Sequence, residues 1–243
     1  MRELNLLMEG ITLGECPRWH DGRWWASDFY RHSVFTYDTD GREQRVLELD
    51  GQPSGLGWLP GGDLLVVSMK DRRVLRRAAD GSVVVHADVT ALTTGHLNDM
   101  IVDRHGFAYA GNFGFDLMGG GHPATTGLVR VDPDGSASVA AEDLWFPNGM
   151  VITDEGTLIV AETFAARFTA FTVQADGTLT KIADGMPGAD GLTWDIDGNL
   201  YISQWLTGKV HVMPVGSNKP KLFSNQFTSA ADTCLDPKTG RLM

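Results

Sequence analysis

One short phrase recurs six times along this chain: a small or polar residue, a brief apolar run, a turn, then a second apolar run. Its copies open at Glu15, Ser54, Asn98, Asn148 and Asp190, with a degraded sixth at Ala231. Successive openings lie 39, 44, 50, 42 and 41 residues apart. A period in that range belongs to solenoids and propellers, whose repeats bury their apolar faces only against one another. Equivalent positions of every propeller blade face one axis. Glu15, Asn98, Asn148 and Asp190 are therefore predicted to converge from four separate repeats. Two carboxylates and two amides meeting there would make an oxygen-lined metal site.

The fifth copy shows what one repeat should become. Asp190-Gly-Leu-Thr-Trp-Asp reads as a short inner strand, and Asp197-Gly198 as a hairpin turn. Leu200 to Trp205, Lys209 to Pro214 and Lys219 to Phe223 follow as three more strands. Four short strands make one blade. Tyr109 to Asn112 and Leu158 to Glu162 are second strands by the same reading, and no segment sustains a helical apolar face. The prediction is an all-β fold: a six-bladed β-propeller with the sixth blade incomplete at the C-terminus. The whole of 1–243 reads as one domain, truncated at that end, with Leu4 to Glu9 as a candidate closing strand. An open last blade would favour self-association.

Bulk properties narrow the function. A formal charge of −11 argues against a nucleic-acid partner, which needs a basic face. The basic cluster from Lys70 to Arg77 reads as a solvated strand face. No run approaches the roughly 18 apolar residues of a membrane span, and the acids of the N-terminus do not make a signal peptide. A cytoplasmic location is the resulting expectation. Cys16 and Cys234, one in the first repeat and one in the last, read as buried thiols, although ring closure would let them pair.

Hard oxygen donors without a Cys or His cluster suit calcium or magnesium, with manganese or zinc as alternatives. Asp190 could serve as ligand and general base in turn. An Asp-Gly or Asn-Gly pair is ordinarily a turn, as at Asp134-Gly135. Asn148 and Asp190 differ because they precede the hairpin turn instead of forming it. The bland reading of Glu15 is a hydrogen-bonded structural acid. Of the His residues only His96, two before Asn98, lies near the predicted mouth. Trp24, Trp25, Trp58, Trp194 and Trp205 read as packing between blades.

Leu13-Gly-Glu15-Cys-Pro-Arg-Trp, Leu97-Asn98-Asp-Met-Ile-Val-Asp-Arg-His-Gly, Phe146-Pro-Asn148-Gly-Met and Ala189-Asp190-Gly-Leu occur in order at blade spacing. Through them the chain resembles the gluconolactonase family that includes senescence marker protein 30, or regucalcin. The resemblance implies a six-bladed lactonase with one central divalent metal, calcium favoured. It implies Glu15, Asn148 and Asp190 as metal ligands, Asp190 as acid/base, and Asn98 as a substrate contact. His96 stands where animal members carry Arg. Asp116, in the Gly-rich stretch Gly114 to Gly121, stands where the usual acid is Glu.

The resulting expectation is a metal-dependent hydrolase that opens a sugar or small aliphatic lactone. Asn98, His96 and Asp116 would contact that small-molecule substrate. A phosphotriesterase-like activity on the same metal is the enzymatic alternative. A non-catalytic propeller that binds a ligand or a protein is the other, since fold alone does not settle function.

Overall fold

A computed structural model describes residues 8–165, 167–184, 190–204, 207–217, 219–227, 230, 233 and 234. They form five antiparallel four-stranded sheets, each with its strands in chain order. Blade 1 holds β1 (Gly14–His20), β2 (Arg23–Asp28), β3 (Ser33–Tyr37) and β4 (Glu43–Glu48). Blade 2 holds β5 (Pro53–Trp58), β6 (Leu64–Ser68), β7 (Arg73–Arg77) and β8 (Val83–Asp88). Blade 3 is β9 (Leu97–Val102), β10 (Ala108–Asn112), β11 (Thr126–Val131) and β12 (Ala137–Leu144). Blade 4 is β13 (Pro147–Ile152), β14 (Thr157–Glu162), β15 (Arg167–Val173) and β16 (Leu179–Asp184). Blade 5 is β17 (Leu192–Trp194), β18 (Leu200–Gln204), β19 (Lys209–Met213) and β20 (Lys221–Ser224).

The all-β propeller is as predicted, but the blade count is five, not six. A recurring phrase marks where a blade would begin. The blade itself exists only through four hydrogen-bonded strands, and the described residues supply those five times. Of the sixth phrase, Thr233 and Cys234 are described and lie outside any strand; the rest of it falls outside the described residues. So do Leu4 to Leu7 of the proposed closing strand, while Met8 and Glu9 are not strand.

Within a blade, burial falls from the second strand to the fourth. β6 reads Leu-Leu-Val-Val-Ser and is buried at every position, because neighbouring blades cover both its faces. β4 reads Glu-Gln-Arg-Val-Leu-Glu and is largely exposed. Turn carboxylates hold the hairpins. Asp103 Oδ1 accepts the His105 and Phe107 amides at 2.8 and 2.9 Å, and Asp195 Oδ1 accepts those of Asp197 and Asn199 at 3.0 and 2.8 Å.

The first strands of successive blades, β1, β5, β9, β13 and β17, pack side by side around the axis. Small residues let them approach. A Cβ on Gly55 would sit 2.5 Å from the Met100 amide nitrogen. Apolar clusters fill the seams, such as Leu65, Val67, Leu97, Met100 and Ala110 between blades 2 and 3. Trp25 and Trp58 cover the cluster around Cys16 and Trp194 packs on the blade 4–5 seam, as interblade packing, whereas Trp24 is buried among blade 1 residues beside Cys234. Trp205 lies outside the described residues. Cys16 and Cys234 are buried thiols in separate clusters. The described residues contain no helix long and apolar enough to cross a membrane.

Candidate active site

The residues that open the first five phrases occupy the starts of the inner strands or lie just before them, at one end of the axis. Four of them form a continuous chain of hydrogen bonds across four blades. The Ser54 hydroxyl donates to Asn98 Oδ1 at 3.2 Å, and Asn98 Nδ2 donates to Asn148 Oδ1 at 2.6 Å. Asn148 Nδ2 donates in turn to Asp190 Oδ1 and, at 3.1 Å, to the Thr163 hydroxyl. Asn98, Asn148 and Asp190 are only 4, 5 and 6% exposed, and Ser54 is fully buried. Convergence of three of the predicted residues follows from the packing of neighbouring blades 3, 4 and 5, which brings together positions 42 and 50 apart in sequence.

Backbone contacts fix this register. The Gly149 amide donates to the Asp190 carbonyl at 2.8 Å, joining blades 4 and 5, and the Asp190 amide donates to the Ser203 carbonyl at 3.0 Å. The Ser203 hydroxyl accepts from the Gly191 amide at 2.7 Å. Asp190 is thus clamped on both sides. Glu15 lies at the same level on β1, where it pairs in register with Ser27 and is half-buried. Next to it Cys16 adopts a φ of 50°, at a bulge, and its sulfur accepts the Leu56 amide at 2.9 Å. That contact ties β1 to β5. Deeper along the axis, Arg18 Nη2 reaches Asp99 Oδ1 at 2.9 Å and the Met100 carbonyl at 3.0 Å, linking blade 1 to blade 3.

His96 and Asp116 sit outside this network. The His96 imidazole is half-buried near the Phe113 ring, and burial holds its pKa below the ordinary value against the raising pull of Asp116. Asp116 is exposed, and its carboxylate accepts the Gly119 amide at 2.8 Å, so it caps its own Gly-rich loop. That loop is tied down where it leaves β10. The Asn112 side chain accepts the Gly114 amide at 3.0 Å and the Thr126 hydroxyl at 2.7 Å.

Sequence reasoning missed several supporting residues. Ser54 opens its phrase in the same register as the acids, which was its only signal. Thr163 carried none. Asp28, Ser68, Asn112 and Glu162 all end second strands and are at most 1% exposed. Three of them accept hydrogen bonds from the entry or exit loops. Asp28 takes the Thr12 amide at 2.7 Å, and Glu162 takes the Trp145 amide at 2.8 Å and the Arg167 guanidinium at 2.8 Å.

A cavity of about 200 Å³ opens at the far ends of the inner strands, lined by Arg18, Ile101, Val151, Thr193 and Trp194 among others. It includes none of the predicted site residues. Among the described residues no three His, Cys, Asp or Glu side chains cluster as a metal site. Any cation at the Asn98–Asn148–Asp190 network would thus depend on amide oxygens.

Residues 13–218 match the family described as SMP-30/gluconolactonase/LRE-like. The chain belongs to that family. It is 26% identical over 210 residues to the pentonolactonase XacC of Haloferax volcanii, covering 82% of this chain and 68% of that protein. It is also 26% identical to a gluconolactonase from Xanthomonas campestris, with a TM-score of 0.76 over 94% of this chain and 81% of that one. Regucalcin from Agrobacterium tumefaciens strain C58, a calcium-binding protein, shares the fold with a TM-score of 0.79 at 19% identity, over 96% of this chain and 81% of that one.

Proposed function

We propose that this family member is a lactonase that opens a sugar or small aliphatic lactone at the network of Asn98, Asn148 and Asp190. The observation that carries the reading is the buried hydrogen-bonded chain from Ser54 to Asp190, which sets a carboxylate and two amides at the axis. The lactonase names of relatives at 26% identity support the choice of reaction.

The donor set fits a hard divalent cation. Asp190 supplies a carboxylate, Asn148 an amide oxygen and Glu15 a second carboxylate on the adjoining register. Calcium is favoured, since those are its donors. When bound, such an ion would polarise a carbonyl and ease the ionisation of water.

The residues of the chain do the rest. Asn98 presents the amide group that orients the lactone carbonyl, and Asn148 holds Asn98 and Asp190 in place from between them. Asp190, its backbone clamped by Gly149 and Ser203, takes a proton from the attacking water as the new carbon–oxygen bond forms. The ring carbon–oxygen bond then breaks, and the same proton passes from Asp190 to the departing ring oxygen. The product is a hydroxy acid.

The test is hydrolysis of a lactone panel followed by acid release, with calcium, zinc, magnesium or manganese added and then removed by chelator. Turnover that disappears with chelator and returns with one ion is expected. Asp190→Asn keeps an oxygen donor but loses the base, and turnover should fall about 100-fold or more. Near-wild-type turnover in that variant, at unchanged melting temperature, would exclude Asp190 as the base.

A further inference from the structure

We infer that the mouth of this site selects lactones bearing an apolar alkyl or aryl substituent over polyhydroxylated ones. The inference rests on the lactonase reading and names its substrate class. It begins from a hydrogen bond repeated in four blades. The residue after the second strand donates its amide to the carbonyl two positions before the opening residue. The pairs are Phe29 to Leu13, Met69 to Gln52, Phe113 to His96 and Thr163 to Phe146, at 2.8–3.1 Å. This rung sits one step outward from Glu15, Ser54, Asn98 and Asn148 and forms the collar of the mouth in blades 1 to 4.

The collar is mainly apolar. Phe29, Met69, Phe113 and Phe146 are at most 5% exposed and pack into one cluster drawn from all four blades. Phe113 meets Phe146 edge-on at 4.7 Å, and Phe146 lies 5.1 Å from Phe164, which is 41% exposed. An aromatic file therefore runs from solvent to a point two residues from Asn148. Most polar side chains at this level are already engaged: of the two cations that act on His96, Lys70 and Arg72, the second donates to the Thr90 and Thr93 carbonyls. Gln52 and His96 belong to the collar, Thr163 is engaged with Asn148, and Asp116 is engaged with Gly119.

A sugar lactone carries several hydroxyls, and each must exchange water for a protein partner on entering. Rings of Phe cannot supply one. An alkyl or aryl substituent gives up no hydrogen bond on leaving water and gains contact with the exposed Phe164 ring and with what the buried rings behind it leave accessible. Polar floor and apolar collar together match a molecule with a lactone head and an apolar tail.

The experiment measures kcat/KM for five-membered lactones with side chains of one to seven carbons, and for a pentonolactone of the same ring size. Each methylene that reaches the collar should raise kcat/KM roughly threefold to fourfold until the chain outgrows the file. Phe164→Ser and Phe113→Ser should flatten that slope. Ile196→Ser, on an 85% exposed hairpin at the other end, should leave it intact. Phe164→Ser keeps the test open if Phe113→Ser fails to fold, because Phe164 lies at the surface, 41% exposed, where Phe113 is buried. In parallel, non-hydrolysable lactams with the same side chains are scored by the melting temperature they confer. Hydrolysis of the pentonolactone with no rise along the alkyl series would overturn the collar and leave the lactonase reading standing. Length-dependent stabilisation by the lactams without turnover of any lactone would uphold the collar and sink the lactonase reading. A flat response in both series overturns the inference.

Discussion

Placing a single methyl group on Gly149 should disable the site from behind. Gly149 follows Asn148 on β13 and faces the start of blade 5. A Cβ there would lie 2.6 Å from Gly191 Cα and 2.9 Å from the Leu192 amide nitrogen, and closer still to the Asp190 carbonyl. Ordinary contact begins near 3.4 Å, so the two strands must separate by about 1 Å. All three neighbours are backbone, which has no rotamer to yield. Overpacking of this kind costs about 1–3 kcal/mol. At this chain length that is a fall in melting temperature of roughly 2–12 °C. The functional cost should be larger in proportion. Separation stretches the 2.8 Å bond from the Gly149 amide to the Asp190 carbonyl and pulls the Asp190 carboxylate away from Asn148. A misplacement near 1 Å costs on the order of 100-fold in rate. Gly149→Ala should be compared with Gly61→Ala, whose added methyl meets nothing within 4 Å. Thermal melts and lactone hydrolysis are measured on both. If Gly149→Ala keeps wild-type stability and turnover, the close approach of β13 to blade 5 is not what sets the site, and the reasoning fails.

Other outcomes follow from particular contacts. Arg167→Ala strands the fully buried Glu162 carboxylate without its guanidinium, and urea denaturation should show a loss of about 3 kcal/mol, the low end for a broken buried pair because Arg167 is partly exposed. A loss under about 1 kcal/mol would mean that the remaining donors, among them Thr169, satisfy Glu162 alone. Thr163→Val removes the hydroxyl that accepts from Asn148 at 3.1 Å. Lactone turnover should drop about tenfold as Asn148 is freed to rotate, with a cost of about 1 kcal/mol in stability; unchanged turnover would remove Thr163 from the positioning shell. Bonds from Thr90 and Arg73 hold the Asp88 carboxyl at about 2. Its folded value is depressed, so its contribution to stability is full above the ordinary carboxylate value and is lost as pH falls through about 2. Thermal melts of Asp88→Asn and wild type should therefore converge below that pH and differ above pH 4.

The repeat period was legible from the chain alone, because each blade spells its inner strand and hairpin locally. Asp-Gly turns and runs such as Leu64-Leu-Val-Val-Ser are decided by neighbours a few residues away. So was the shared register of Asn98, Asn148 and Asp190. The structure brings those three into one hydrogen-bonded network, as equivalent positions on adjacent blades must be. The chain also holds six opening phrases, yet the described residues hold five blades, since strand pairing and not a phrase makes a blade.

What the tertiary structure alone decided is which polar residues answer one another. Ser54 bonds Asn98 44 residues away, Thr163 props Asn148, and Asp116 turns back onto its own loop. In a Gly-rich all-β chain, a serine or threonine at a strand end has the same local signature whether it caps a turn or supports a site. The choice is made by the packing of one blade against the next. The same packing sets Phe29, Met69, Phe113 and Phe146, one from each of four repeats, into a single apolar cluster. No local pattern encodes that contact, because hydrophobic burial rewards whichever apolar side chains the packed blades bring together.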